Sequence, residues 1–175
     1  VVVGGGVVGC LIAWLCGRIA ATEVALVDID PRRAPVAAAL GVGFAAPEHA
    51  PGDADVVFHA SATQAGLRTA LGCAGREARV VEASWFGTTE VSLALGGAFF
   101  HRRVQLVASQ VGTVSPSRSA RFDFRRRLEV ALALLGDPAL DVLVDGESAF
   151  DDLPRALPEV VRGVGGGLCH RVRYP

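Results

Sequence analysis

The sequence has 175 residues, with no lysine, no methionine and one tyrosine. All 17 of its basic residues are therefore arginine, which excludes a Schiff-base lysine, a P-loop lysine and a serine–lysine pair within this chain. The tyrosine is Tyr174, so the tyrosine–lysine pair of the short-chain dehydrogenases is excluded as well. The chain opens on the apolar run Val1–Val3 without methionine, and we expect it to be a fragment or to lack its original start.

Other absences limit the partners and the location that we expect for the protein. No apolar run reaches the roughly 20 residues that span a bilayer, and there is no basic leader with a cleavage site, so we expect no membrane partner. Four cysteines stand without C-x-x-C spacing, which predicts neither a disulfide frame nor a zinc clip and favours a cytoplasmic location. A formal net charge of -1 gives no overall field for nucleic acid.

What is present is a chain with 51% hydrophobic residues, enough to form a buried core. Short β-branched runs alternate with helical stretches, a pattern typical of a parallel sheet covered by helices. The sequence therefore predicts an α/β fold with a doubly wound parallel sheet of the Rossmann type. The six predicted strands are Val1–Val3, Glu23–Asp28, Val42–Ala45, Asp55–His59, Ala78–Ala83 and Val104–Ser109.

The composition changes after residue 112, where a polar, arginine-rich stretch begins. We expect a helix at Arg125–Leu135, a strand at Val142–Ser148, a helix at Leu153–Arg162 and a strand at Leu168–Val172. This tail is too short for a typical separate domain. We therefore divide the chain into a dinucleotide-binding domain, residues 1–112, and a C-terminal extension, residues 113–175, that belongs to an absent catalytic domain.

The motif that points to chemistry is a glycine turn. Gly4, Gly6 and Gly9 form G-x-G-x-x-G between a valine-rich strand and a long apolar helix, and a second strand ends at Asp28, 19 positions later. In dinucleotide-binding folds, the first glycine permits the tight turn, the second lets the pyrophosphate approach the backbone, and the third lets helix and strand pack closely. The acid at the second strand end accepts hydrogen bonds from the adenosine ribose.

Two alternatives remain open for this motif: a glycine turn that binds nothing, and a Rossmann-like site for S-adenosylmethionine. Within the dinucleotide hypothesis, Asp28 favours NAD because a carboxylate repels the 2′-phosphate of NADP. Arg32 and Arg33 leave NADP as the less favoured choice, since arginine near this position can accept that phosphate.

The segments VVVGGGVVG, EVALVDIDPRR, DVVFHASA, ARVVEASWFG and VQLVASQVG resemble the nucleotide-binding half of the medium-chain, zinc-dependent alcohol dehydrogenases. The resemblance implies an oxidoreductase that transfers hydride between an alcohol or carbonyl substrate and nicotinamide. It also implies a set of cofactor-binding positions, with backbone N–H donors at Val7 and Val8, and Arg33 beside the adenosine. The full set is Gly4, Gly6, Val7, Val8, Gly9, Asp28, Arg33, Ala60, Ser61, Ala83, Ser84, Ser109 and Gln110.

The resemblance also shows what is missing. In such enzymes an N-terminal domain supplies the catalytic zinc ligands, so we assign no catalytic residue and no metal ligand to this chain, and we expect it to be inactive alone. Zinc is implied only for the absent domain, and some relatives lack it. The rival hypothesis is a stand-alone, non-catalytic Rossmann module that binds a nucleotide. Relatives pair through the sheet edge near Val104–Ser109, which makes a homodimer a further expectation.

The remaining candidates have structural interpretations. His59 ends a strand and is more typical of a hydrogen-bonded structural residue than of a catalytic one. The glycine-rich Gly163–Gly167 is interpreted as a flexible turn. The arginine run between Arg118 and Arg127 lacks interleaved stacking aromatics beyond Phe122 and Phe124, and nucleic-acid binding is not expected.

Overall fold

The computed structural model describes residues 1–163 and 167–175. Its main feature is a six-stranded sheet with the order β3-β2-β1-β4-β5-β6, in which every neighbouring pair is parallel. The order reverses between β1 and β4, which is the hallmark of a doubly wound sheet, and the predicted Rossmann fold is confirmed. The strands are β1 (Val2–Val3), β2 (Ala25–Val27), β3 (Gly43–Ala45), β4 (Ala54–His59), β5 (Ala74–Glu82) and β6 (Gln105–Ala108).

Helices connect the strands and continue beyond the sheet. They are α1 (Val7–Gly17), α2 (Arg33–Ala39), α3 (Gln64–Cys73), α4 (Ala98–His101), α5 (Pro116–Ser119), α6 (Phe124–Leu134) and α7 (Leu153–Val161). Short 3₁₀ turns lie at Pro47–His49, Pro138–Leu143 and Phe150–Asp152. None of the described helices is both long enough and apolar enough to cross a bilayer.

The start of α2 and one strand boundary that differs from its prediction both have local causes. The second helix begins at Arg33, because the Asp30 carboxylate accepts the Arg32 backbone N–H at 3.0 Å and closes a turn first. Pro35 then lies in the first helical turn, where its missing N–H costs nothing. The strand predicted from Val142 begins at Val144 instead, because a 3₁₀ turn buries the side chains of Leu140 and Leu143.

The two faces of the sheet carry separate cores. On one face α3 covers the central strands through Leu67, Ala70 and Leu71. On the other face Ala13 and Trp14 of α1 pack with Leu26, Ala37 and Leu40, and the buried Leu140 and Leu143 join this second core. The C-terminal extension therefore contributes side chains to the core beside α1 and α2.

The rest of the extension forms its own small layer. Strands β7 (Val144–Ala149) and β8 (Cys169–Arg173) pair in parallel as a separate two-stranded sheet. The turn predicted at Gly163–Gly167 falls on residues 164–166, which lie outside the described residues.

The approach of α1 to β1 is closer than any side chain would permit. A methyl group built at Gly9 would lie 1.8 Å from the carbonyl oxygen of Gly4, which is backbone and cannot swing away. By contrast, a methyl group at Gly72, within α3, would meet nothing within 4 Å. The third glycine of the motif is thus required by the packing of the fold itself.

We predict that Gly9→Ala lowers the free energy of unfolding by at least about 2–3 kcal/mol, because the new methyl group overpacks a backbone contact. Gly72→Ala is the matched control, and it should be neutral or stabilising by up to about 1 kcal/mol, since alanine is the better helix former. Urea denaturation of both variants measures the difference. Equal stability of the two variants would contradict the described packing of α1 on β1.

Candidate functional site

The register of the sheet aligns five strand ends in one row. Val3 pairs with Val27 and His59, His59 pairs with Glu82, and Glu82 pairs with Ala108. The residues that follow these ends therefore share the carboxyl edge of the sheet, where ligands bind in open α/β folds. They are Gly4, Asp28, Ala60, Ala83 and Ser109, all of which are sequence-predicted positions.

A cleft of about 540 Å³ opens at this edge, beside the point where the strand order reverses. Among the predicted cofactor positions, Gly4, Gly6, Asp28, Ala60 and Ser61 line it. The floor is formed by the ends of β1 and β2, and one wall by the first turns of α3. The volume is in the range of small-molecule sites.

The glycine turn lies at the base of the cleft. Gly4 has φ +109°, and a methyl group there would lie 2.6 Å from the Ser61 backbone nitrogen, so the turn requires glycine. A methyl group at Gly6 would meet nothing within 4 Å. Gly6 lines the cleft, and none of the described residues occupies the space beside its Cα.

Helix α1 begins directly behind this open space. Gly6 is its N-cap, and the Gly6 carbonyl accepts the Cys10 N–H at 2.9 Å. The N–H groups of the first helical turn, which include those of Val7 and Val8, have no acceptor within the helix. Together with the helix dipole, they form a feature suited to an anion.

Asp28 has a structural role that the sequence did not reveal. One carboxylate oxygen, Oδ2, accepts the Gly5 N–H, and the other, Oδ1, accepts the Asp30 N–H at 2.8 Å. The side chain therefore fixes the glycine turn to the loop after β2. A carboxylate has about four lone-pair sites, so capacity remains toward the cleft that Asp28 lines.

The predicted Arg33 lies behind this loop. Its side chain is 13% exposed, and its guanidinium Nη2 lies 3.7 Å from Asp30 Oδ2. The aliphatic part of Arg33 packs close to Gly5. Arg32 hydrogen-bonds Asp30, and this contact lowers the pKa of the Asp30 carboxyl below its ordinary value.

The sequence did not predict the apolar part of the cleft. Ile29, which follows Asp28, is 87% exposed and lines the cleft together with Pro47 and Ala65. An isoleucine so exposed in a cleft suggests a surface that a flat apolar ligand group covers. The signal in the sequence was the apolar residue placed between two acids, directly after a strand.

On the far side, the ends of β4 and β5 are joined by polar side chains. His59 is fully buried, and its Nδ1 lies 2.7 Å from Glu82 Oε2, while its Nε2 lies 2.7 Å from Ser61 Oγ. Both ring nitrogens of His59 are therefore hydrogen-bonded, as we expect for a histidine at this place. The sequence gave no indication of these partners: Glu82 ends the neighbouring strand β5, and Ser61 lies in the loop after β4.

Four other predicted positions, Ala83, Ser84, Ser109 and Gln110, do not line the cleft. The Ala83 backbone N–H donates to the His59 carbonyl at 2.9 Å. The Ser84 hydroxyl contacts His59 and accepts the Ala62 N–H at 3.0 Å. Ser109 donates its backbone N–H to Glu82, and the Gln110 side chain accepts the Gly112 N–H. Ser109 and Gln110 are exposed beyond the end of β6.

Among residues 1–163 and 167–175, no three histidine, cysteine, aspartate or glutamate side chains come together as a possible metal site.

The chain matches known proteins in its structure and not in its sequence. No protein-family model and no curated protein matches the sequence. In structure, the chain is similar to L-idonate 5-dehydrogenase from Escherichia coli, with 20% sequence identity and a TM-score of 0.76. The match covers 98% of this chain and 48% of that one.

Two further structures contain cofactors. An Escherichia coli alcohol dehydrogenase in complex with NADH shares 17% identity, at a TM-score of 0.72, over 98% of this chain and 50% of its own. A zinc-binding dehydrogenase from Sinorhizobium meliloti, bound to NADP, shares 19% identity, at a TM-score of 0.69, over 89% of this chain and 47% of its own. The chain thus spans about half the length of these structures. The predicted resemblance to the nucleotide-binding half of such dehydrogenases is confirmed for the fold.

The packing under the glycine turn predicts a low reactivity for the Cys10 thiol. Burial raises the pKa of the Cys10 thiol to about 11, and its Sγ lies 3.5 Å from the Gly5 carbonyl oxygen. Near pH 8.5 the fraction of reactive thiolate should therefore be about 100-fold below that of a thiol with an ordinary pKa. We expect iodoacetamide to alkylate the exposed Cys169 long before Cys10, as followed by peptide mass spectrometry. Equal rates at the two positions would contradict the packing under the turn.

Proposed function

We propose that the chain is the NAD(H)-binding part of an alcohol dehydrogenase-like oxidoreductase. The observation that carries the proposal is the difference between two glycines of one turn. The space at Gly9 is filled by the backbone of Gly4, whereas none of the described residues fills the space at Gly6. A backbone kept open at a helix N-terminus fits the approach of a pyrophosphate.

The adenosine part of the cofactor fits the 540 Å³ cleft. Asp28 offers acceptors for the ribose hydroxyls at one side, and the apolar surface of Ile29, Pro47 and Ala65 suits the faces of an adenine ring. The carboxylate at the end of β2 supports NAD over NADP, because it repels a 2′-phosphate. Arg33 could accept a 2′-phosphate, but its guanidinium lies 3.7 Å from the Asp30 carboxylate, which partly balances that positive charge.

The nicotinamide end would extend over the ends of β4, β5 and β6. Ala60 and Ser61 line the cleft that takes the adenosine part, and Ala83 and Ser84 flank the cofactor at the end of β5. We place Ser109 and Gln110 near the nicotinamide. When bound, nicotinamide supplies the hydride chemistry, and the protein contributes orientation and electrostatics. The residues of this chain would therefore hold and orient the cofactor, while an alcohol or carbonyl substrate would be bound mainly by another part of the enzyme.

The complete enzyme is part of the same proposal. The similar dehydrogenases are about twice as long as this chain, which supports a further half in the complete enzyme. Within this chain we assign residues 1–112 to the nucleotide-binding domain and residues 113–175 to part of a catalytic domain. Zinc, where used, would be bound in the other half. We place the homodimer contact at the edge strand β6, where Leu106 and Val107 are more than a third exposed.

We predict that Gly6→Ala leaves the fold intact and weakens NADH binding. The N-cap φ of -71° suits alanine and no atom lies within 4 Å of the new methyl group, so unfolding should change by less than about 1 kcal/mol. The methyl group would lie where the pyrophosphate approaches, so we expect affinity to fall at least about tenfold. Fluorescence titration with NADH measures it. Unchanged affinity in a folded variant would contradict the assigned phosphate position.

We predict that Asp28→Ser weakens NADH binding and reduces the difference between the dissociation constants of NADH and NADPH. The change removes acceptors for the ribose hydroxyls and the charge that repels a 2′-phosphate. It also removes the contacts to Gly5 and Asp30, so thermal unfolding should be measured beside the titrations.

The matched control is Asp55→Asn, which removes one carboxylate near the start of β4, at the opposite edge of the sheet. We expect this control to leave both dissociation constants within about twofold, since an exposed charge at that distance is screened by salt. If Asp28→Ser changes neither constant more than the control does, Asp28 does not face the ribose.

A further inference from the structure

Four hydrogen bonds connect the start of α3 to the end of β5. The Gly66 backbone N–H donates to Thr63 Oγ1 at 3.0 Å, and Thr63 Oγ1 lies 3.0 Å from Ser61 Oγ. Ser61 Oγ lies 2.7 Å from His59 Nε2, and His59 Nδ1 lies 2.7 Å from Glu82 Oε2. The chain of bonds begins at a wall of the cleft, passes through a fully buried ring and ends on a carboxylate.

The chemistry of its two ends gives each bond a direction when the ring is neutral. A carboxylate only accepts, so His59 Nδ1 carries the hydrogen that it donates to Glu82. In the neutral ring Nε2 is then bare, and it accepts the hydrogen of the Ser61 hydroxyl. At the other end Thr63 accepts from a backbone N–H, so its own hydrogen is free to go to Ser61. All donors point toward Glu82.

Neighbouring groups hold the side chains of Glu82, His59 and Ser61 in this arrangement. The carboxylate of Glu82 is held by the Ser84 backbone N–H at 2.7 Å, and the ring of His59 stacks with Phe86 at a centroid distance of 5.8 Å. A methyl group at Gly66 would lie 2.0 Å from Ser61 Oγ, so the glycine leaves room for the hydroxyl beneath α3. Glu82 is the charged side chain that contacts the ring among the residues described.

Because the donors point toward Glu82, we propose that His59 is a positioning residue. It holds Ser61 as a hydrogen-bond acceptor for the bound nucleotide. The inference rests on the proposed function. Because the hydrogen of Ser61 is committed to His59, its oxygen offers only lone pairs to the cleft that it lines. The Thr63 N–H approaches it at 3.4 Å, a long contact that a ligand donor can replace. The ligand group opposite Ser61 is therefore a donor, either a ribose hydroxyl or the adenine amine.

Two substitutions of His59 separate positioning from packing. A glutamine at this place can bring its amide oxygen to the position of Nε2 and accept from Ser61, whereas an asparagine reaches only the position of Nδ1. We expect His59→Gln to keep the NADH dissociation constant within about threefold. His59→Asn and Ser61→Ala should each weaken binding by roughly threefold to tenfold, as for the loss of one hydrogen bond.

The double variant His59→Asn/Ser61→Ala should bind as Ser61→Ala does, because both changes remove the same acceptor. If His59→Asn and His59→Gln weaken binding alike, and their effects add to that of Ser61→Ala, His59 is structural and the proposal is overturned. Wild-type protein that binds neither NADH nor ADP would instead contradict the proposed function.

Two measurements leave His59 in place, so they decide the proposal even where its variants fail to fold. The ¹⁵N chemical shifts of the ring should show a protonated Nδ1 and a bare Nε2, and a protonated Nε2 would overturn the assignment. The loss of affinity caused by Ser61→Ala, which is the penalty of this change, should be measured with ADP, 2′-deoxy-ADP, 3′-deoxy-ADP and inosine diphosphate. Loss of the penalty with one analogue supports the proposal and identifies the donor, whereas an equal penalty with all four contradicts it.

Discussion

The contact between Gly9 and the carbonyl of Gly4 is the constraint on which the rest of the structure depends. It presses α1 against β1 more closely than any side chain allows. The helix N-terminus is thereby fixed above the strand end, at the point where the sheet reverses its order. The open space at Gly6, the free N–H groups of the first turn and the floor of the cleft all follow from this one close approach.

The loops around the cleft are fixed by side chains that also face it. Asp28 anchors the glycine turn and the loop after β2 through two backbone N–H groups, so the proposed ribose acceptor is also a structural element. In the same way Ser61 belongs both to the cleft wall and to the buried chain that ends on Glu82. Binding groups that are held by structural hydrogen bonds are preorganised, which lowers the entropy cost of binding a ligand.

The C-terminal extension is divided between two roles. Leu140 and Leu143 complete the core on the α1 face, and the ion pair of Arg18 with Asp137 lies beside them. Further along the chain, β7 and β8 form a separate sheet, and α7 carries exposed apolar residues such as Val161. Part of the extension thus packs in the core of the Rossmann unit, although the composition already changes after residue 112.

The sequence by itself determined the order of strands and helices, the glycine turn and the acid after β2. These features are local, since periodicity and glycine spacing act over a few residues. Only the tertiary structure decided what lies opposite them. The carboxylate partner of His59 comes from a strand 23 positions away, and Ile29 and Pro47 line the same cleft because β2 and β3 pair in register. Contacts across strands depend on register and helix placement, which a single sequence does not reveal.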